Sequence, residues 1–169
     1  MVALIMTVTG IIGLVIVANE AGADTTGFTI TVILLGFGFA PFVGDSLERH
    51  IPSSLWDRLS FSRKASRLWG VSLFNTFLSR IGWNRRIIAM RGNRAAGVRI
   101  WSSRPMRSAA AGHTWAFLLH CVTTVWTCVA GGVVAPVILL LVGLIGHLYP
   151  VLLQVRVLTR LREVPRRSQ

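Results

Sequence analysis

Residues 133–153 read VVAPVILLLVGLIGHLYPVLL, without a single Lys, Arg, Asp or Glu. A helix of that length rises about 30 Å, the thickness of a bilayer's hydrocarbon core, so the stretch reads as a membrane span. Three further stretches are similarly free of charge: residues 2–18, 28–43 and 113–129. The first is near the minimum spanning length; a cleaved signal peptide is the alternative there, but no basic residue precedes the apolar run. The second contains Gly36, Gly38 and Pro41, which a membrane helix tolerates when its neighbours cover the backbone. The third and fourth are separated by Gly131 and Gly132, which suit a tight turn, and together read as a transmembrane hairpin.

The composition agrees with this class. Of 169 residues, 53% are hydrophobic and only 14% charged, where a soluble domain carries about 25%. The net charge of +12 would suggest nucleic acid in a soluble protein, but its distribution points elsewhere. Residues 19–27 carry −2, residues 44–112 carry +10 and the segment after 154 carries +4, so all the basic residues fall on one side of a four-span arrangement. The positive-inside rule then places both termini and residues 44–112 in the cytoplasm. Topology and attraction to anionic lipid headgroups account for the arginines. No zinc-finger spacing or RNA-binding signature accompanies them, and nucleic acid is excluded as a partner.

The expected protein is therefore all-α and polytopic, in the cell's inner (plasma) membrane. It has an N-terminal transmembrane hairpin (1–43), a basic cytoplasmic or interfacial segment (44–112), a C-terminal hairpin (113–154) and a basic tail (155–169). Within the segment, Leu73, Phe74, Phe77, Leu78 and Ile81 form one helical stripe, with Ser72 at the N-cap position and Gly82 at the C-cap. Trp56, Trp69, Trp83 and Trp101 lie among the arginines. Two readings stay open: a helix in the headgroup plane, or a cytoplasmic cap packed on itself. Residues 88–108, Arg- and Gly-rich and broken at Arg104-Pro105, read as a loop.

Cys121 and Cys128 are about 10.5 Å apart on one helix, too far for a disulfide. The histidines carry more information. His120 and His147 fall at matching depth on antiparallel spans, each about 10 Å inside the same leaflet, and His113 lies near the same face. Tyr149, Gln154, Arg107, Arg156, Arg160 and His50 gather at the cytoplasmic mouth. Ionisable groups inside a membrane are costly and often mark function, although a packing role for His120 and His147 and an anchoring role for His113 and Tyr149 explain them as well. The spans hold no acidic ligand and no compact His motif, so no metal is expected. Walker, Gly-x-Ser-x-Gly and metalloprotease motifs do not occur.

The run His147-Leu148-Tyr149-Pro150-Val151-Leu152-Leu153-Gln154 followed by Arg160-Leu161 resembles the end of the glycosyl-4,4'-diaponeurosporenoate acyltransferase family. That family closes its last span with Asn-x-Tyr-Pro-x-x-x-Gln-Arg-Tyr-Asn-Arg-x-Arg-Leu. Gly70-Val71-Ser72-Leu73-Phe74-Asn75, Arg80-Ile81-Gly82-Trp83-Asn84 and the 107–113 entry into the third span are similar to it in the same order. The chain departs where His147 replaces Asn, Val155-Arg156-Val157-Leu158 replaces Arg-Tyr-Asn-Arg, and Ala110 replaces a glutamate. The resemblance implies transfer of a fatty acyl group, from a donor such as acyl-CoA and with no bound cofactor, to a hydroxyl of a lipid or glycolipid. His113 would be the general base with His147 beside it, Gln154 would donate to the oxyanion, and Arg107, Arg156 and Arg160 would hold phosphates. The alternative is a non-enzymatic subunit or scaffold whose partners are other membrane proteins or anionic lipid.

Overall fold

A computed structural model describes residues 1–83, 85 and 103–163, and these are helical with no strand among them. The chain forms α1 (Val2–Ala21), α2 (Thr26–Glu48), α3 (Ser53–Arg58), α4 (Arg63–Leu68), α5 (Val71–Arg80), α6 (Arg104–Val129) and α7 (Val134–Val142). A π-helical turn, Gly143–Leu148, then leads without a break into α8 (Tyr149–Glu163). Arg86, Arg91, Arg94, Arg99, Trp101 and the tail beyond Glu163 lie outside the described residues, as does the expected loop as far as residue 102. Its last part, 104–108, is instead the first turn of α6. Pro105 sits within that turn, where a missing N–H removes no helix bond, so it starts the helix instead of breaking it.

Three helices are long and apolar enough to cross a membrane: Val2–Ala21, Thr26–Glu48 and the continuous Val134–Glu163. The third expected span, residues 113–129, lies in α6, which has the length but is not among them, because His113, His120 and four threonines dilute its apolar character. By length and composition the described residues thus supply three spanning helices, where four were expected.

Short turns dictate the packing. Gly22, at φ 93°, ends α1, and Thr25 caps α2 by accepting a hydrogen bond from the Phe28 amide at 3.3 Å, so the two helices run antiparallel. At their far ends the Ala3 amide donates to Ser46 Oγ at 3.2 Å. Helix α6 lies at the centre, against α2, α7, the π turn and α8. Its crossing with α2 is a backbone contact. A Cβ on Gly44 would meet the Ser108 carbonyl oxygen at 2.3 Å, and one on Gly112 would meet the Ala40 oxygen at 2.1 Å. Ala40 and Gly44 on α2, spaced by four, face Ser108 and Gly112 on α6, which is how membrane helices approach closely without large side chains between them, and one turn earlier Gly36 faces the His120 and His147 rings.

The two ends of the bundle differ in charge. At one end Asp24 lies against Gly132, in the turn between α6 and α7. At the other end the finish of α2, the start of α6, the finish of α8 and the segment α3–α5 meet. Here Arg162 donates to the carbonyls of Asp57 and Leu59, the Phe61 amide donates to Thr159 Oγ1 at 3.1 Å, and Arg156 Nη1 donates to the Phe61 oxygen at 2.9 Å. Apolar cores sit at both ends, Leu14, Phe28, Val32 and Leu139 at the first and Trp56, Met106, Ala110, Ala111 and Leu158 at the basic end.

The stripe at residues 73–81 falls on α5. Its N-cap is Gly70, in the left-handed region at φ 68°, in place of Ser72, while Gly82 at φ 75° closes the far end. Leu73, Phe77 and Ile81 of the stripe are exposed, while Phe74 and Leu78 are half-buried, Phe74 against Tyr149.

Candidate functional site

Three histidines from two elements meet next to α2. His113 and His120, seven apart on α6, present the same face, and His147 comes from the π turn. That turn follows from the chemistry of its residues. Pro150 has no N–H to donate back to Gly146, and Gly143 and Gly146 weaken the α-helical preference, so the helix widens by one residue and turns His147 inward. His113 Nδ1 and His147 Nδ1 are 3.1 Å apart, so one ring donates to the other. The His120 and His147 rings are centred 4.8 Å apart. His147 also stacks on Phe37 at 4.5 Å.

The tautomer of His120 follows from its partner. Its Nδ1 lies 2.9 Å from the Ala116 carbonyl, which can only accept, so Nδ1 carries the hydrogen and the neutral ring keeps a lone pair on Nε2. That atom and His147 Nε2 are buried without a hydrogen-bond partner in the protein. Gly36 makes room for both rings: a Cβ there would lie 2.6 Å from His120 Cε1 and 3.2 Å from His147 Nε2. Both rings are buried, and His120 is tied to Ala116, so neither can swing away. Gly36→Ala should therefore separate the pair and lower the melting temperature of the purified protein, by about 1–3 kcal/mol of overpacking. An unchanged melting curve would show that the rings are not confined in this way.

His113 reaches a different environment. It lines a cleft of about 590 Å³ between α2 and α6, whose walls include Phe37, Ala40 and Pro41, with Asp45 and Arg104 at the basic end. Arg104 bonds Asp45 at 3.4 Å and Glu48 at 3.3 Å, and Arg49 pairs with Asp45. The cleft is thus apolar along one side, charged at its mouth, and bounded by a half-buried imidazole that is hydrogen-bonded from behind.

Of the expected site residues, the structure brings His113 and His147 together. Gln154 is half-buried and lies two turns beyond His147 toward the basic end, about 10 Å along the helix. Arg107 pairs with Glu48 at 3.1 Å, and Arg156 is buried with its Nη1 on the Phe61 carbonyl, so both guanidinium groups serve internal contacts. Arg160 is exposed on α8. Tyr149 packs on Phe74 at 5.2 Å, and His50 is exposed with Nδ1 2.7 Å from the Ser46 carbonyl. Both cysteines are free. Among the described residues no group of three or more His, Cys, Asp or Glu is arranged to hold a metal ion. Sequence reasoning missed the cleft itself and Arg104 at its mouth. The available signal was the four-residue spacing of small residues on α2 and α6, which predicts their close crossing. Comparison of the chain with protein-family models, curated proteins and solved structures finds no match.

Proposed function

We propose that this is an integral membrane acyltransferase that moves a fatty acyl group onto a lipid or glycolipid hydroxyl bound in the α2–α6 cleft at the cytoplasmic leaflet. The observation that carries the reading is the position of His113, which is in the cleft wall and hydrogen-bonded to His147 at once. When His113 Nδ1–H donates to His147 Nδ1, the lone pair of His113 resides on Nε2, the form a general base requires. The substrate hydroxyl gives its proton to that nitrogen as its oxygen bonds to the acyl carbonyl carbon. The leaving group recovers the proton as the old acyl bond breaks. His147 acts as a positioning residue.

In this reading α6 is a fourth span and both termini are cytoplasmic. Its polar residues His120, Thr123 and Thr127 are buried, while Leu118, Val122, Val125 and Val129 are exposed, the arrangement of a helix surrounded by lipid on one side and protein on the other. The gathering of basic residues at one end of the bundle supports the orientation. The test is a comparison of total lipids from cells with and without the gene, which needs no knowledge of the substrate. The reading expects an acylated lipid that disappears with the gene and stays absent when His113→Ala is supplied; identical lipid profiles would exclude it.

A second reading, a non-enzymatic subunit or scaffold, is favoured by the internal engagement of Arg107 and Arg156. It expects a protein partner that co-purifies and survives His113→Ala.

A further inference from the structure

The corner between α4 and α5 carries a feature separate from the histidine site. Arg63, Lys64 and Arg67 line a surface hollow of about 310 Å³. They share one face of α4 with Leu68, because residues spaced by one, four and five lie side by side on a helix. Among the described residues none of the three pairs with a carboxylate. Leu68 is 83% exposed, Trp69 60% and Leu73 75%, and beyond Leu73 the exposed stripe continues through Phe77 and Ile81. Phe74, on the same short helix, packs on Tyr149, where the C-terminal spanning helix passes its last apolar turns. Tyr149 is one turn from the end of the uncharged run 133–153, so the packing holds the apolar stripe beside the end of that run.

We propose that this corner is a lipid-headgroup site on the membrane surface: Arg63, Lys64 and Arg67 hold the phosphate of an anionic phospholipid, and Leu68, Trp69 and Leu73 enter the bilayer beside its acyl chains. Charge complementarity selects the occupant. A neutral apolar partner would leave three cations unmatched, whereas an anionic bilayer matches the cations and the exposed apolar residues together. The segment then lies flat against the leaflet at the basic end of the bundle. This proposal does not depend on catalysis in the cleft.

The test uses the full chain in nanodiscs of phosphatidylcholine alone or mixed with phosphatidylglycerol, with lipids brominated near the headgroup as quenchers of tryptophan fluorescence. Subtracting the signal of Trp69→Phe isolates Trp69 among the six tryptophans. Trp69 should be quenched in both bilayers and more strongly with phosphatidylglycerol. Each cation removed should weaken the surface contact roughly fivefold. In Arg63→Gln/Lys64→Gln/Arg67→Gln the phosphatidylglycerol increment should disappear. Should that variant fail to accumulate, Lys64→Gln alone should reduce the increment, and high salt should reduce it in the wild-type protein. Inorganic phosphate at matched ionic strength should not displace the contact. The proposal is overturned if Trp69 is unquenched in both bilayers, if phosphatidylglycerol adds nothing, if inorganic phosphate alone removes the increment, or if a co-purified protein shields the segment instead.

Discussion

Gly112→Val should prevent the protein from accumulating as a folded bundle. The first added carbon would lie 2.1 Å from the Ala40 carbonyl oxygen and 3.3 Å from Gly44 Cα, and both obstacles are backbone. No rotamer change can relieve such a contact; α2 and α6 must separate. Overpacking a core costs about 1–3 kcal/mol when side chains can yield, so a rigid backbone clash should exceed about 3 kcal/mol. Gly44→Ala, which meets the Ser108 oxygen at 2.3 Å, should behave similarly. Gly38 provides the control. It lies on the same helix with nothing within 4 Å of its added carbon, and Gly38→Ala should be neutral or stabilise the helix by up to about 1 kcal/mol. The check is the yield of monodisperse protein and its melting temperature in detergent. A Gly112→Val protein that melts with the wild type would show that the crossing is looser than described.

The second large effect is expected at Glu48. Its carboxylate is buried and receives Arg104 at 3.3 Å and Arg107 at 3.1 Å, so one acid bridges two guanidinium groups at the start of α6. Glu48→Ala leaves Arg107, whose side chain is three-quarters covered, without a counter-charge. Removing one partner from such a buried cluster costs about 3–5 kcal/mol, mostly through the charge left behind. Asp45 also bonds Arg104, but in a half-exposed setting, so Asp45→Ala should cost only about 0–1 kcal/mol. Thermal denaturation of the three proteins decides this. Equal losses at positions 45 and 48 would mean that burial does not set the strength of this cluster.

Much of the fold could be read from the chain because membrane helices announce themselves by uninterrupted apolar runs. Residues 2–18 and 28–43, and 133–153 from its second residue on, lie within helices long and apolar enough to span. The helices extend beyond those runs, to Glu48 in α2 and Glu163 in α8, because charged residues that end an apolar stretch do not end a helix. Other features were hidden because they depend on pairs distant in sequence. Arg156 looked like a phosphate ligand, but its partner is a backbone carbonyl at Phe61. Arg107 looked the same, and its partner is Glu48. Depth along antiparallel helices was legible, which is why His120 and His147 could be placed side by side. Rotation about the helix axis was not, since the π turn at Gly143–Leu148 changes which way His147 points. Gly36 read as an interruption of a span and Gly44 as the first residue beyond it, whereas their spacing with Ala40 builds the surface on which α6 rests.

The central claim is that His113 takes a proton from a lipid hydroxyl in the cleft. It is tested most directly by His113→Gln, whose amide preserves hydrogen bonding to His147 but cannot act as a base. Membranes containing equal amounts of wild-type and His113→Gln protein should be extracted and their acylated lipids compared by mass spectrometry. The account predicts a lipid species that the wild-type protein produces and the variant lacks; a variant that produces the same species at the same level would contradict it.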